Sequence, residues 1–298
     1  MNRQVIQTIL CCFLALLPAA CARQKHVLLA AETYWLDIID LDPAFNRVLD
    51  EESHRVPFSL SRLPLDRGVN YAEKLKRVLT DAPSDLVITG PLMSGEVIKV
   101  APQFPAATFA VMEMPRVESE IPANVIPLRC RRESAFFEAG KLCGAALSSG
   151  RHPELGSKVG VIASGLTALE KEELAEFERG FSREMDAAQI ITETIGSVVD
   201  RTKAVTAVEN LSNRDVRVFL VKAYGLSAAC LEKINANDGF FIMEDFPAFN
   251  LFPEKCLISI EDDYTQALHT LLTAPGFRAS PPPQGQARAQ AGPLLTQN

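Results

Sequence analysis

Short apolar runs of strand length alternate along this chain with segments of helical periodicity. The helical segments repeat apolar residues every three or four positions, as Leu174, Phe177 and Phe181 do. Fully apolar strands that alternate with helices are typical of parallel sheets buried on both faces. We therefore predict an α/β fold, with two smaller sheets rather than one large one. About nine strands are expected, at residues 26–31, 56–60, 85–89, 108–112, 158–163, 190–195, 216–221, 239–243 and 257–260.

Composition narrows the class of protein. The 298 residues are 47% hydrophobic and 22% charged, with a mean hydropathy of +0.07. Such a chain is neither disordered nor a polytopic membrane protein, and it is long enough for one large domain or two small ones. Its net charge of -7 gives no electrostatic reason to bind nucleic acid or an anionic membrane surface.

The N-terminus has the pattern of an export signal. One charge, at Arg3, precedes an apolar run that is too short to span a bilayer comfortably, and small residues follow. We predict a signal peptide over residues 1–20. The small residues before Cys21 resemble a bacterial lipobox, which implies lipidation of Cys21 and anchoring of the mature protein to a membrane of the cell envelope. Cleavage after Ala20 or Ala22 without lipid, or an uncleaved anchor, are the alternatives.

Two other features follow from simple counts. Four cysteines lie in the predicted body, and their spacing is compatible with three full pairings, although buried free thiols are the simpler expectation. Residues 274–298 contain three successive prolines and a run rich in Gln, Ala, Gly and Arg, with little to bury. This composition predicts a disordered tail over 274–298.

Several short motifs, in order, resemble the basic membrane lipoprotein family of nucleoside-binding lipoproteins. Their order and spacing over about residues 26–273 carry the resemblance, since no single motif is specific. The similar segments are Asp42-Pro43-Ala44-Phe45-Asn46, the run from Asp85 to Val111, Glu133 to Gly140, Gly160 with Phe177, Gly180 and Phe181, and Cys256 to Ile260. The sequence departs from the family pattern at three places. Bulky Glu32-Thr33-Tyr34-Trp35 replaces a glycine-rich approach, Met243-Glu244-Asp245-Phe246 stands where the family has Asp-x-Asp-Gln, and the chain stops soon after Thr273.

This resemblance implies a type I periplasmic binding protein with two Rossmann-like lobes, parallel sheets and a hinge. The lobes would comprise residues 26–128 plus 245–273, and residues 129–244. Such proteins hand a small solute to an ABC transporter permease, and for this family the solute is a nucleoside, most often a purine nucleoside. The departures at Tyr34-Trp35 and at the C-terminus leave a second hypothesis, in which the fold is kept for sensing or protein interaction while nucleoside binding is lost.

A nucleoside site needs aromatic faces for the base and carboxylates for the ribose hydroxyls, beyond the C-terminal ends of the strands. The resemblance implies that Asp42 and Asn46 hydrogen-bond the base and that Phe45 stacks on it or packs beside it. Asp42 also fits the N-cap of the helix that begins at Pro43 and carries Phe45, and Phe246 and Trp35 also fit core packing. Glu244 and Asp245 also fit a surface acidic pair. The candidate ligand-binding residues are Trp35, Asp42, Phe45, Asn46, Glu113, Glu244, Asp245 and Phe246.

Catalysis is not expected. The sequence contains no Gly-x-Ser-x-Gly elbow and no phosphate-binding Walker loop, and its four histidines are isolated. We therefore predict no enzyme activity, no cofactor and no metal site. The LacI-type regulators share this fold, but a signal peptide stands here where they carry a DNA-binding headpiece. Asp262 and Asp263 are expected to open the last helix, where acids suit the helix dipole.

Overall fold

A computed structural model describes residues 24–65, 70–114, 120–165, 167–244, 252–279 and 282–296. The strands are β1 Lys25–Glu32, β2 Phe58–Leu65, β3 Leu86–Thr89, β4 Thr108–Met112, β5 Val125–Arg131, β6 Val159–Ala163, β7 Ile190–Thr194, β8 Val218–Lys222, β9 Phe240–Glu244, β10 Cys256–Asp263 and β11 Gln284–Ala291. The helices are α1 Thr33–Leu41, α2 Pro43–Arg55, α3 Tyr71–Asp81, α4 Ser94–Val100, α5 Glu133–Ser148, α6 Ala168–Phe181, α7 Arg201–Ser212, α8 Ser227–Ala236, α9 Thr265–Thr273 and α10 Pro293–Thr296.

The sheet is built from two parallel halves. The first half-sheet has the order β2-β1-β3-β4-β5, and the second has the order β10-β9-β8-β6-β7. Strands β3, β4, β6 and β8 are buried along their whole length, because helices cover both faces of each half. The predicted α/β class with parallel strands is confirmed. The two halves are, however, not separate sheets as expected but parts of one eleven-stranded sheet, because β11 pairs with both of them.

Strand β11 joins the two halves. It lies between β5 and β10, parallel to the first through residues 284–286 and antiparallel to the second through residues 286–291. The prediction of a disordered tail over 274–298 is therefore wrong for residues 284–291. Composition concealed this strand because backbone hydrogen bonds and small side chains hold it. Gly285 is buried and Ala287 and Ala289 are half-buried, while Gln286, Arg288 and Gln290 face solvent.

Two further elements were not predicted. Strand β5 carries Pro127, Arg129 and Arg131 among its apolar residues, so it lacks the continuous apolar run of the other central strands. Helix α1 begins directly after β1. Asp262 and Asp263 were expected to begin the last helix, but both belong to β10. The Asp263 carboxylate nevertheless accepts a hydrogen bond from the amide of Thr265, the first residue of α9.

The last part of the chain contacts both halves. Strand β10 pairs with β9 in the second half-sheet, whereas α9 packs on α2 beside the first. The lobe boundaries remain a prediction. Cys130, Cys143, Cys230 and Cys256 are buried free thiols, as expected. In the described part of the chain, no helix combines the length and the hydrophobicity that crossing a bilayer requires.

Candidate functional site

Charged residues gather where the strands of the two halves end. Glu113 directly follows β4, Arg132 directly follows β5, Lys222 and Glu244 end β8 and β9, and Asp262 lies near the end of β10. The carboxyl ends of parallel strands meet at one edge of a sheet, which is where α/β proteins bind ligands. All five side chains are buried, so water does not solvate their charges.

Arg132 is the centre of this cluster. Its Nη1 lies 3.2 Å from Glu173 Oε1 on α6, its Nη2 lies 2.8 Å from Glu244 Oε2, and its Nε lies 3.2 Å from Asp262 Oδ1. One guanidinium therefore faces three carboxylates from three different elements. Burying any of these ions without the others would be costly, so the group is stable only as a unit.

Lys222 completes the network. Its ammonium lies 2.7 Å from Glu173 Oε2 and 2.5 Å from Glu244 Oε2, and it stands 4.6 Å from the centre of the Phe136 ring. Burial alone would lower the pKa of Lys222, but these two carboxylates outweigh it and raise that pKa. Burial likewise opposes ionisation of Glu173, but Arg132 and Lys222 outweigh it and lower the pKa of that carboxyl. Both cations and Glu173 are thus charged at neutral pH.

Two further carboxyls titrate differently. Burial raises the pKa of Glu113 to about 7 and that of Asp262 to about 7, because Arg132 only partly offsets the loss of solvent. Glu113 Oε1 accepts hydrogen bonds from the Cys130 amide at 2.7 Å and from the Tyr264 hydroxyl at 2.5 Å. The network thus holds two cations and four carboxyls, and protons on Glu113 and Asp262 bring it close to neutrality.

Three of these groups are close enough to hold a metal ion. Glu113, Cys130 and Asp262 each place one ligand atom within 4.8 Å of the others. Their surroundings do not favour a cation, however. Burial raises the pKa of the Cys130 thiol, and Arg132 already supplies a positive charge to Asp262. The expectation that the chain has no metal site therefore stays a prediction.

A small cavity, here called the central cavity, adjoins this network. Its volume is about 40 Å³, and its lining includes Trp35, Phe45, Glu113, Arg132, Glu173 and Asp262. Solute-binding pockets usually measure roughly 300–1,000 Å³, so this space holds water rather than a nucleoside in the present conformation. Glu113 (φ 47°) and Tyr224 (φ 48°), which also lines it, have left-handed backbones, a strain that clusters at functional sites.

A larger space opens on the other side of Trp35. This space, here called the outer groove, measures about 500 Å³. Its lining includes Glu32, Tyr34, Trp35, Tyr71, Pro91 and Tyr224. Trp35, Pro91 and Tyr224 line both spaces, so Trp35 and its neighbours form the wall between them. The outer groove lies at the ends of β1, β2 and β8, and therefore between the two half-sheets.

The predicted site residues have mixed placements. Trp35, Asp42, Phe45 and Glu113 line the central cavity, while Glu244 lies in the buried network. Asp42 also caps α2, because its Oδ1 accepts hydrogen bonds from the amides of Ala44 and Phe45. Phe45 is core, with 2% of its surface exposed. Glu244 does not form the surface acidic pair that we considered. Asp245, Phe246 and the predicted lipidation site Cys21 lie outside the described residues.

Asn46 has no free donor for a ligand. Its side-chain amide donates to the Ile39 carbonyl at 2.8 Å and to the Asp42 carbonyl at 2.9 Å. These bonds join the end of α1 to the start of α2. The role that the resemblance implies for Asn46, contact with a base, would require the amide to give up these backbone partners.

Sequence reasoning missed Glu32, Arg132, Glu173 and Lys222. Two of them had a visible signal: Lys222 ends an apolar strand, and Glu173 occupies a helical position that faces the core together with Phe177. A charge on an apolar face predicts a buried partner. Arg132 stands in an arginine-rich segment that resembles an ordinary surface turn, so its burial has no comparable signal.

Comparisons with known proteins agree with this architecture. The model of the Bmp family, described as ABC transporter substrate-binding protein PnrA-like, matches residues 65–245, more than half of the chain. No protein with curated annotation matches significantly. A solute-binding protein of an ABC transporter system from Aeropyrum pernix K1 is 16% identical, with a TM-score of 0.67, over 83% of this chain and 70% of that one.

Other similar structures differ in role. A carbohydrate transporter solute-binding protein from Agrobacterium radiobacter, solved with D-arabinose, is 11% identical with a TM-score of 0.63, over 93% of this chain and 97% of its own. A protein described as a transcription regulator from Staphylococcus saprophyticus is also 11% identical, with a TM-score of 0.64, over 93% of this chain and 100% of its own. At these identities the likeness establishes the fold alone.

Proposed function

The chain belongs to the family of PnrA-like ABC transporter substrate-binding proteins, and on this premise we propose that it holds its solute in the outer groove and delivers it to a permease. The position and lining of that groove carry the proposal. It lies at the ends of β1, β2 and β8 and has four aromatic side chains in its wall, which three other spaces of about 390–610 Å³ in the described part of the chain do not. At about 500 Å³ it falls within the range of solute pockets, while the central cavity does not. The family consists of substrate-binding proteins, so the proposed role requires the site to bind a solute and not to catalyse a reaction.

A purine nucleoside is the first solute to test, because the family resemblance implies it. Tyr34, Trp35, Tyr71 and Tyr224 offer ring faces to a base, and Glu32 offers a carboxylate to ribose hydroxyls. The second candidate is a protein that keeps the fold without nucleoside binding. The small volume of the central cavity favours this second candidate. Asp42 and Glu113, two of the residues expected to bind the nucleoside, line that cavity, and a nucleoside does not fit into it.

Calorimetry with the purified full-length chain tests solute binding. We expect adenosine or inosine to bind and to change the emission of Trp35, the single tryptophan of the chain, because that ring lines the groove. Binding should also raise the melting temperature by mass action. If nucleosides, sugars and amines all leave both the heat signal and the emission unchanged, the importer role is lost and the second candidate stands.

We also propose that a lipid on Cys21 anchors the protein to the cell envelope, which keeps the body close to a permease. The measurement is membrane partitioning of Cys21→Ala in the bacterium that makes the protein. The variant should leave the membrane fraction, since alanine cannot carry the acyl chains that supply the membrane affinity. Membrane association equal to that of the wild-type chain, which keeps Cys21, would disprove the lipid anchor.

A further inference from the structure

The carboxylate of Glu32 is buried, and no cation of the described residues forms an ion pair with it. Glu32 ends β1 and is 8% exposed, and its Oε1 has no hydrogen-bond partner among the described residues. Burial raises the pKa of this carboxyl. Most buried polar atoms in folded proteins are paired, so an unpaired carboxylate oxygen in a cavity wall indicates a group that a ligand satisfies.

The neighbouring strand leaves space for this carboxylate. Gly90 follows β3, which pairs with β1. A β-carbon at Gly90 would lie 3.0 Å from Glu32 Oε2 and 3.3 Å from Trp35 Cγ. A side chain at position 90 would therefore press on both groups. The glycine keeps the carboxylate beside the indole ring, at the wall of the outer groove.

The rest of the groove complements a cation. Four aromatic side chains line it, at Tyr34, Trp35, Tyr71 and Tyr224, together with a second carboxylate at Asp37. Within the described ranges, its lining contains no lysine, arginine or histidine. Aromatic faces with nearby carboxylates are the usual setting for ammonium groups. The central cavity is different, because Arg132 and Lys222 already neutralise its carboxylates.

We propose that the outer groove recognises a positively charged amino group of the solute, which pairs with Glu32 and is surrounded by the aromatic rings. This inference rests on the proposed function, since it names the charge of the solute that the groove holds. The body of the solute, aromatic or aliphatic, then occupies the rest of the groove. A bound cation would supply the partner that Glu32 Oε1 lacks.

Two matched pairs of probes test the charge directly. Choline is compared with its uncharged carbon analogue 3,3-dimethyl-1-butanol, and 5′-amino-5′-deoxyadenosine is compared with adenosine. Calorimetry on the full-length chain gives each Kd, and Trp35 emission reports binding beside the groove wall. In at least one pair we expect the charged member to bind about tenfold tighter or more, because the neutral analogue loses the ion pair with Glu32 and the cation–π contacts with the rings. The ammonium of 5′-amino-5′-deoxyadenosine can also donate a hydrogen bond to the carboxylate, which the trimethylammonium of choline cannot.

Glu32→Gln is the decisive variant. It should remove the preference for the charged member and leave the melting temperature unchanged or higher, because it removes a buried charge that lacks a partner. Tyr71→Leu is a second variant, which should weaken the charged member while the neutral one changes less. Glu73→Gln, an exposed carboxylate on the same helix as Tyr71, is the control and should change neither member.

The outcomes separate this inference from the proposed function. Equal binding of charged and neutral members, or a charge preference that survives in Glu32→Gln, would overturn the cation site while leaving solute binding intact. If no probe in either pair binds and no sugar or nucleoside does, the proposed function itself fails.

Discussion

The central cavity and the outer groove share one wall, but the buried charges around the cavity are paired, whereas, among the described residues, a carboxylate in the wall of the groove is not. Around the central cavity, Arg132 and Lys222 face Glu173, Glu244 and Asp262. In the outer groove, Glu32 has an oxygen without a partner in the part of the chain that the structure describes. A site whose charges are satisfied internally stabilises the fold, whereas a site with unsatisfied charge costs stability and is available to a ligand.

Removing Arg132 is expected to have the largest effect on stability. Arg132→Met leaves three buried carboxylates without their shared cation and should lower the free energy of unfolding by about 3–5 kcal/mol. Denaturant unfolding gives this value. Arg77→Met is the matched control, because its partner Asp81 is exposed and 3.9 Å away, so it should cost less than about 1 kcal/mol. Equal losses in the two variants would mean that the buried network contributes nothing special.

The buried network around Arg132 could not be deduced from the sequence, because its partners are distant along the chain. Apart from β5, the strands of the two halves were predictable, because short apolar runs have few other interpretations. Some of the network's charged groups come from segments more than a hundred residues apart, as Arg132 and Glu244 do. A local pattern predicts which face of an element is buried, but not which distant charge will neutralise a buried one.

Strand β11 shows a second limit of composition. Its pairing depends on backbone hydrogen bonds and on close approach, neither of which appears in a count of apolar residues. The family resemblance had the same limit at the site, since it identified Asp42 and Phe45 but not Glu32. Asp42 and Phe45 belong to a motif whose order was recognisable, whereas Glu32 lies where the chain departs from the family pattern.

Gly285→Ala tests how tightly the two halves are joined next to the central network. A β-carbon at this position would lie 2.6 Å from the Asp263 carbonyl oxygen and 2.6 Å from Cys130 Sγ, so β11 would have to shift. We expect a loss of about 1–3 kcal/mol in the free energy of unfolding. Gly95→Ala on α4 is the control, since nothing lies within 4 Å of its β-carbon. It should leave stability unchanged or raise it by up to about 1 kcal/mol.

If both glycine variants unfold at the same denaturant concentration as the unmodified chain, β11 is not seated between β5 and β10. The central network would then have no strand beside Cys130 to exclude water. The outer groove does not contact β11, so its binding behaviour should be the same in either case.

The pH dependence of stability also distinguishes the two cavities. Glu113 and Asp262 have pKa values of about 7 in the folded chain, against ordinary values of 4.5 and 3.8. Between these values the folded state retains protons that the unfolded state has released, so stability falls as pH rises. The groups that face them are Cys130, Arg132, Glu173, Lys222, Glu244 and Tyr264.

We therefore expect the free energy of unfolding to fall between pH 5.5 and pH 8 by about 2 kcal/mol for each of the two carboxyls, using about 1.4 kcal/mol for each unit of pKa difference. Glu113→Gln should flatten this slope, because the amide oxygen still accepts from the Cys130 amide and the Tyr264 hydroxyl but no longer titrates. Glu32 also has a raised pKa, so Glu32→Gln should remove a separate part of the slope. A slope that Glu113→Gln, Asp262→Asn and Glu32→Gln all leave unchanged would place the titrating groups outside both cavities, and the contrast between the cavities would then rest on geometry alone.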